Sequence, residues 1–153
     1  LNPKPEIMIC YRIDGLGPVP SFKNGKQIIR VGGSPRLITR PDRKKWMQAA
    51  EMMIRAKVNR KPELCRAWKK RQTPKGKDRI ANEREQAVCV RVALYISSLG
   101  TADPDGALAT IMDVLVKSGA LADDSPRYVK SAAVHWFECP KGQEGAQISI
   151  TLD

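Results

Sequence analysis

The sequence predicts an α+β fold: a mixed β-sheet carrying two main helices, in the order β-β-α-β-α-β-β. Residues 7–13 and 86–98 are rich in Val, Ile, Leu and Tyr and read as strands. Residues 41 to about 58 place Trp46, Ala49, Ala50, Met53, Ile54 and Lys57 at the 3, 4, 3 spacing of one helical face. Residues 105–118 form a second helical stretch, opened by Asp103-Pro104 and stopped by Gly119. Strands interleaved with helices in this way pack as two layers around one core.

Taken in order, residues 7–13 form the first strand, and Gly15-Leu16-Gly17-Pro18-Val19-Pro20 breaks it. Lys23-Asn24-Gly25-Lys26 is a hairpin-type turn, and 27–31 is a short strand. Gly32-Gly33-Ser34-Pro35 reads as loop. In the first helix Pro41 suits a first-turn position, and Asp42 suits the positive end of the helix dipole. Arg43, Lys44, Arg55 and Arg60 fall mainly off its apolar face. Residues 60–78 form a basic connection in which Pro62, Pro74 and Gly76 limit regular structure. Residues 86–98 are the central strand, 99–102 a loop, 105–118 the second helix. Moderate alternation makes 128–137 a strand, 140–145 a turn and 146–152 the last strand. No internal repeat is visible.

At 153 residues, with 42% apolar and 28% charged residues, the chain is expected to be one domain, 1–153. No apolar run approaches the roughly 18–20 residues that span a bilayer. Cys10, Cys65, Cys89 and Cys139 form no CxxC pair and His135 is the only histidine, so a zinc site is not expected. The cysteines read as reduced thiols, and the expected location is cytoplasmic.

The net charge of +11 is unevenly placed. Residues 40–79 hold 15 Lys/Arg and 4 Asp/Glu, while the other residues hold 12 of each and cancel. From Glu85 onward there are 5 bases and 9 acids. Bases and acids in different parts of the chain suit a polyanion, with bases gripping phosphates and acids holding a metal. A solvated basic face or a membrane-surface patch is the plainer alternative.

The acids are grouped. Asp103-Pro104-Asp105 is followed, one helix length later, by Asp123-Asp124, with only Asp113 and Lys117 charged between them. Asp at the N-cap, Pro at N1 and Asp at N2 make a favourable helix start, and Asp123-Asp124-Ser125-Pro126 makes a turn. Grouped carboxylates also repel unless a cation sits between them, which makes them candidate ligands of a hard divalent metal.

In this order the motifs resemble the RusA family of Holliday junction resolvases. The family pattern is a strand, D-x-D-N, a helix carrying K and D-x-L, then K-x-G and D-D. The matching residues are Asp103-Pro104-Asp105, Asp113-Val114-Leu115, Lys117-Ser118-Gly119, Leu121 and Asp123-Asp124, with Gly17 to Ser21, Lys23 and Asn24 as a weaker N-terminal match. The resemblance implies a homodimeric, Mg2+-dependent endonuclease, with Mn2+ as a substitute, that cuts four-way DNA junctions in symmetric pairs. It implies Asp103, Asp105 and Asp124 as the essential metal-holding carboxylates, Asp123 as auxiliary, and Asp113 as supporting or structural. Two positions depart from the pattern: Gly106 stands where the family often has Asn, and Ala109 where it has a lysine implicated in activity.

Chain geometry bears on how such a site assembles. Fourteen helical residues span about 20 Å, and 119–124 return only about 20 Å if nearly extended. A composite site is easier, with Asp103 and Asp105 from one subunit and Asp124 from the other. For DNA contact the candidates are Lys23, Lys26, Arg30, Arg36, Lys69, Lys70, Arg71, Lys75 and Lys77, each of which is otherwise a solvated charge. Trp68 could stack on an opened base or pack on the first helix. His135 reads as structural. The competing expectation is a catalytically weak or silent nucleic-acid-binding protein that keeps the fold; a metal-free structural protein is a third.

Overall fold

The computed structural model describes residues 7–21, 26–60 and 87–152. Along the chain run β1 (Ile7–Asp14), β2 (Lys26–Val31), β3 (Ser34–Thr39), α1 (Pro41–Arg60), β4 (Val88–Ile96), α2 (Pro104–Lys117), β5 (Val129–Glu138) and β6 (Gly145–Leu152). The main sheet has the order β1-β6-β4-β5, with β4 and β5 parallel and the other pairs antiparallel. The α+β class, the mixed sheet and the two helices are those expected. Among the described residues no helix is long and apolar enough to cross a membrane.

One strand exceeds the expectation. The segment read as loop, Gly32 to Pro35, is the turn and start of a second strand, and β2 and β3 form a separate antiparallel hairpin. Gly32 and Gly33 both take positive φ, 58° and 82°. Two successive left-handed residues make the tight connection whose twist suits two paired strands. Val31 then faces Ser34, and Pro35 faces Arg30.

The core lies between the helices and one face of the main sheet. In β4, Val88, Val90, Val92 and Leu94 are buried, while Arg91 on the opposite face is exposed. Ile148 and Ile150 of β6 and Ile9, Tyr11 and Ile13 of β1 continue the buried face. From above, α1 contributes Trp46, Met47, Ala50 and Ile54, and α2 contributes Ala107, Ile111, Val114 and Leu115. Arg43 corrects the sequence reading: it is only 3% exposed, on the same buried face as Trp46 and Met47. The periodicity that places Trp46 inward places Arg43, three residues earlier, there too.

The unit that positions the acids is β4–α2–β5. Its helix runs back along the sheet so that β5 can start beside the start of β4. Val88 N–H donates to Tyr128 O at 2.9 Å at one end, and Cys139 N–H to Ile96 O at 2.8 Å at the other. The N-terminus of α2 therefore lies beyond the carboxyl ends of both parallel strands. The segment leaving α2 lies at the opposite edge of the sheet.

Candidate functional site

Asp103 is the N-cap of α2, with non-helical φ −125° and ψ 86°. Its Oδ1 accepts a hydrogen bond from Gly106 N–H at 3.2 Å, and its carbonyl accepts from Ala107 N–H at 2.9 Å. Pro104 at the helix start has no N–H to satisfy, and Asp105 adds a negative charge to the first turn. The local sequence thus builds the helix start and leaves Asp103 Oδ2 for a partner from elsewhere in the fold.

The Ser21 hydroxyl donates to that Oδ2 at 2.5 Å, tying the segment after β1 to the head of α2. Gly106 makes this approach possible. A Cβ there would overlap Ser21 Oγ and the Asp103 carboxylate, coming within 2.9 Å of Asp103 Cγ. A larger residue at 106 would not fit: the space that its side chain needs holds the Ser21–Asp103 hydrogen bond. Beside it lies a cavity of about 110 Å³, bordered by Val19, Ser21, Ile96, Ser97, Thr101 and Asp103.

Asp105 is exposed, and so is Ala109 one turn along the helix. Asp113 is half-buried and pairs with Lys117 at 3.2 Å, an i,i+4 ion pair within α2. Asp123 is half-buried and Asp124 exposed, in the segment between α2 and β5. The Ser125 hydroxyl, with the Asp124 backbone N–H next, holds the Asp123 carboxyl below its usual range. Hydrogen bonds to the charged form favour it, and they also make the turn that the sequence suggests.

The four acids therefore fall into two groups. Asp103 and Asp105 lie beyond the carboxyl end of β4, and Asp123 and Asp124 before the amino end of β5. Nine residues of parallel strand, about 30 Å, separate those two ends of the sheet. Among the described residues no three His, Cys, Asp or Glu side chains are gathered to hold a metal ion. One chain brings together Asp103 and Asp105, and does not bring Asp124 to them.

The donor set of the first group still suits a hard cation. Both ligand candidates are carboxylates, which offer only oxygen lone pairs when ionised, and those of Asp103 accept from Ser21 Oγ and Gly106 N–H. Mg2+ takes few protein carboxylates and keeps several waters.

Glu144 was not singled out by the sequence. It is 5% exposed, accepts from Ser97 Oγ at 2.6 Å and from Gly142 N–H at 2.8 Å, and its carboxyl is held low chiefly by the Ser97 hydroxyl. It fixes the β5–β6 turn to the residue that leaves β4 and borders the Asp103 cavity. In the sequence, an acid in a Lys141-Gly142-Gln143 turn looks like an ordinary solvated charge.

Of the basic candidates, Arg30 and Arg36 are exposed on the β2–β3 hairpin, where the register sets them on opposite faces. The Lys26 backbone belongs to β2, but its side chain lies outside the described residues, as do Lys23, Lys69, Lys70, Arg71, Lys75, Lys77, Trp68 and Cys65. His135 is exposed on β5. Cys89 is buried, and Cys10 and Cys139 are half-buried. Compared with known proteins, the chain matches no family model and no curated protein sequence.

Proposed function

We propose that the chain is a metal-dependent, structure-specific endonuclease of the RusA type, hydrolysing phosphodiesters in four-way DNA junctions during recombination and repair. The carrying observation is the pair Asp103 and Asp105 at the head of α2, beside a cavity beyond the carboxyl ends of two parallel strands. Crevices at that end of such strands are where α/β sheets take ligands. Asp103 is held in place by Ser21 and Gly106, and Asp105 is open to solvent.

When bound there, Mg2+ or Mn2+ would activate water and offset charge on the leaving oxygen. The chain's own part is to hold Asp103 rigidly, to present Asp105 outward, and to grip phosphates with the bases of residues 23–36 and 69–77. Asp124 completes the carboxylate set from a second copy, with Asp123 beside it, so the enzyme acts as a homodimer in the cytoplasm.

A specific feature favours a second reading, a weak or silent DNA-binding protein: Ala109 puts no base on the exposed turn after Asp105. One assay separates the two. Purified protein is mixed with a synthetic four-way junction or a linear duplex, with Mg2+, Mn2+ or chelator. Metal-dependent nicking of the junction alone supports the enzyme. Salt-sensitive binding with no nicking supports the second reading.

A further inference from the structure

The β2–β3 hairpin stands apart from the main sheet. A lone two-stranded hairpin gains little from its own burial, yet this one carries an exposed apolar pair at its centre. Ile28 lies directly opposite Leu37, and the two are 73% and 67% exposed. The two-residue turn makes Val31–Ser34 a hydrogen-bonded pair, so the next pair, Arg30–Pro35, is not one, which suits a residue without an N–H. Ile28–Leu37 is of the same non-hydrogen-bonded kind, in which facing side chains lie closest. The two therefore form one apolar knob, with Arg30 and Pro35 beside it toward the tip. Arg36 is exposed on the other face, where Ile29 and Ile38 are half-buried.

The charge around the knob has one sign. Residues 15–41 hold five Lys/Arg and no Asp/Glu. A protein partner for this surface would have to be acidic and apolar at the same spot. Nucleic acid is both along its whole length, in its phosphates and in the flat faces of its bases.

Both roots of the hairpin sit at the acidic end of the fold. β1 and β4 are each antiparallel to β6, so they run in the same direction. The segment leaving β1 thus emerges where α2 begins, and its Ser21 is bonded to Asp103. Leu16, Pro18 and Pro20 of that segment line a cavity with Asp42, Arg43 and Trp46 at the start of α1, the helix that follows β3. Six residues per strand give the hairpin a length of about 20 Å.

We propose that the β2–β3 hairpin is a branch-recognition wedge: Ile28 and Leu37 cover the face of a base pair laid bare at the branch point of the DNA, with Arg30 and Arg36 on phosphates of adjoining arms. This role rests on the DNA-junction reading above, and it supplies the feature that tells a branch from plain duplex. Inside a duplex every base pair is stacked on both sides. Where a four-way branch opens, the innermost pair of an arm loses one neighbour, and an aliphatic wedge replaces the lost contact. Leu and Ile are among the residues that proteins insert between unstacked base steps. Arg30 lies on the knob's face and Arg36 on the opposite one, so the ribbon grips two arms and not one.

A synthetic junction carrying 2-aminopurine at the branch point, which fluoresces when unstacked, tests the wedge with chelator present and no cutting. The wild-type protein should raise the fluorescence at the branch and leave it unchanged when the label lies inside a linear duplex. Ile28→Thr with Leu37→Thr keeps strand-forming residues and removes the apolar surface. It should abolish the rise and weaken junction binding about tenfold, with duplex binding, the salt slope and the Tm unchanged. Ile28→Leu with Leu37→Ile keeps the knob and should keep the rise. Arg30→Gln with Arg36→Gln should weaken both substrates and flatten the salt slope by roughly 2. Full fluorescence and junction preference in the threonine variant, or loss of both in the Leu/Ile exchange, overturns the wedge. Junction cutting in Mg2+ without any rise at the branch overturns the wedge and leaves the endonuclease reading standing. A rise that depends on Ile28 and Leu37, with no cutting in Mg2+ or Mn2+, sinks the endonuclease reading and leaves the wedge.

Discussion

Gly106→Ala should destabilise the protein even though alanine is the better helix former. The gain from replacing glycine in a helix is at most about 1 kcal/mol. The cost arises because the new Cβ occupies the place where the Ser21 hydroxyl meets Asp103, and that bond is 2.5 Å long and made to a carboxylate. Hydrogen bonds to charged groups contribute about 1.5–3 kcal/mol. The difference leaves the variant about 1 kcal/mol less stable, a fall of roughly 2–4 °C in Tm for a domain of this size. Urea and thermal unfolding of Gly106→Ala, Ser21→Ala and the double variant measure it. With Ser21 already removed, Gly106→Ala should cost less, the remainder coming from the Asp103 carboxylate, which still meets the new Cβ and caps Gly106 N–H. An equal penalty in both backgrounds, or a more stable Gly106→Ala protein, would refute the argument that Gly106 exists to admit Ser21. Gly106→Asn should follow the same pattern.

Asp103→Asn, Asp105→Asn and Asp124→Asn should each abolish junction cutting while leaving junction binding intact, measured by gel assays for both. Asn is as good an N-cap as Asp, so a loss at Asp103 reports charge and not helix fraying. Ala109→Lys should raise the single-turnover cutting rate with little change in affinity, since residue 109 is exposed one turn beyond Asp105. Ser97→Ala should destabilise the protein at neutral pH and lose that effect in acid. The Glu144 carboxyl titrates below its ordinary 4.5 in the folded protein, chiefly through Ser97. Its contribution is present above the unfolded value and disappears as pH falls through the folded one. Thermal unfolding across that range checks the sign.

The second helix and its acids were legible in the sequence because each signal is local. Asp103-Pro104-Asp105 caps a helix by bonds within four residues, and Gly119 ends it with φ 82°. The strand Ser34–Thr39 was not legible, because glycines and a proline look like loop until their left-handed turn has a partner strand. Arg43 was missed although its spacing from Trp46 marks the buried face, and Glu144 was missed for the opposite reason. Nothing nearby marks a charged residue as buried when its partners come from elsewhere in the fold, as Ser97 does for Glu144. Ser21 belongs to the same class, since its bond to Asp103 spans 82 positions. The separation of Asp124 from Asp103 was foreseeable from helix length alone.

Strand order also sets the timetable of synthesis. The strand made last, β6, lies between β1 and β4, with Ile7 opposite Leu152 at one extreme of the register. Until residues 145–152 leave the ribosome, β1 has no neighbour in the sheet, and β4 and β5 stand with one flank open. The other strands must therefore wait, partly assembled, for residues 145–152 to close the gap. Pairings between such distant segments form slowly, so the sheet should close only after β6 has been made. A nascent chain stalled before β6 would expose apolar strand surface to chaperones, whereas one stalled after it should resist proteolysis.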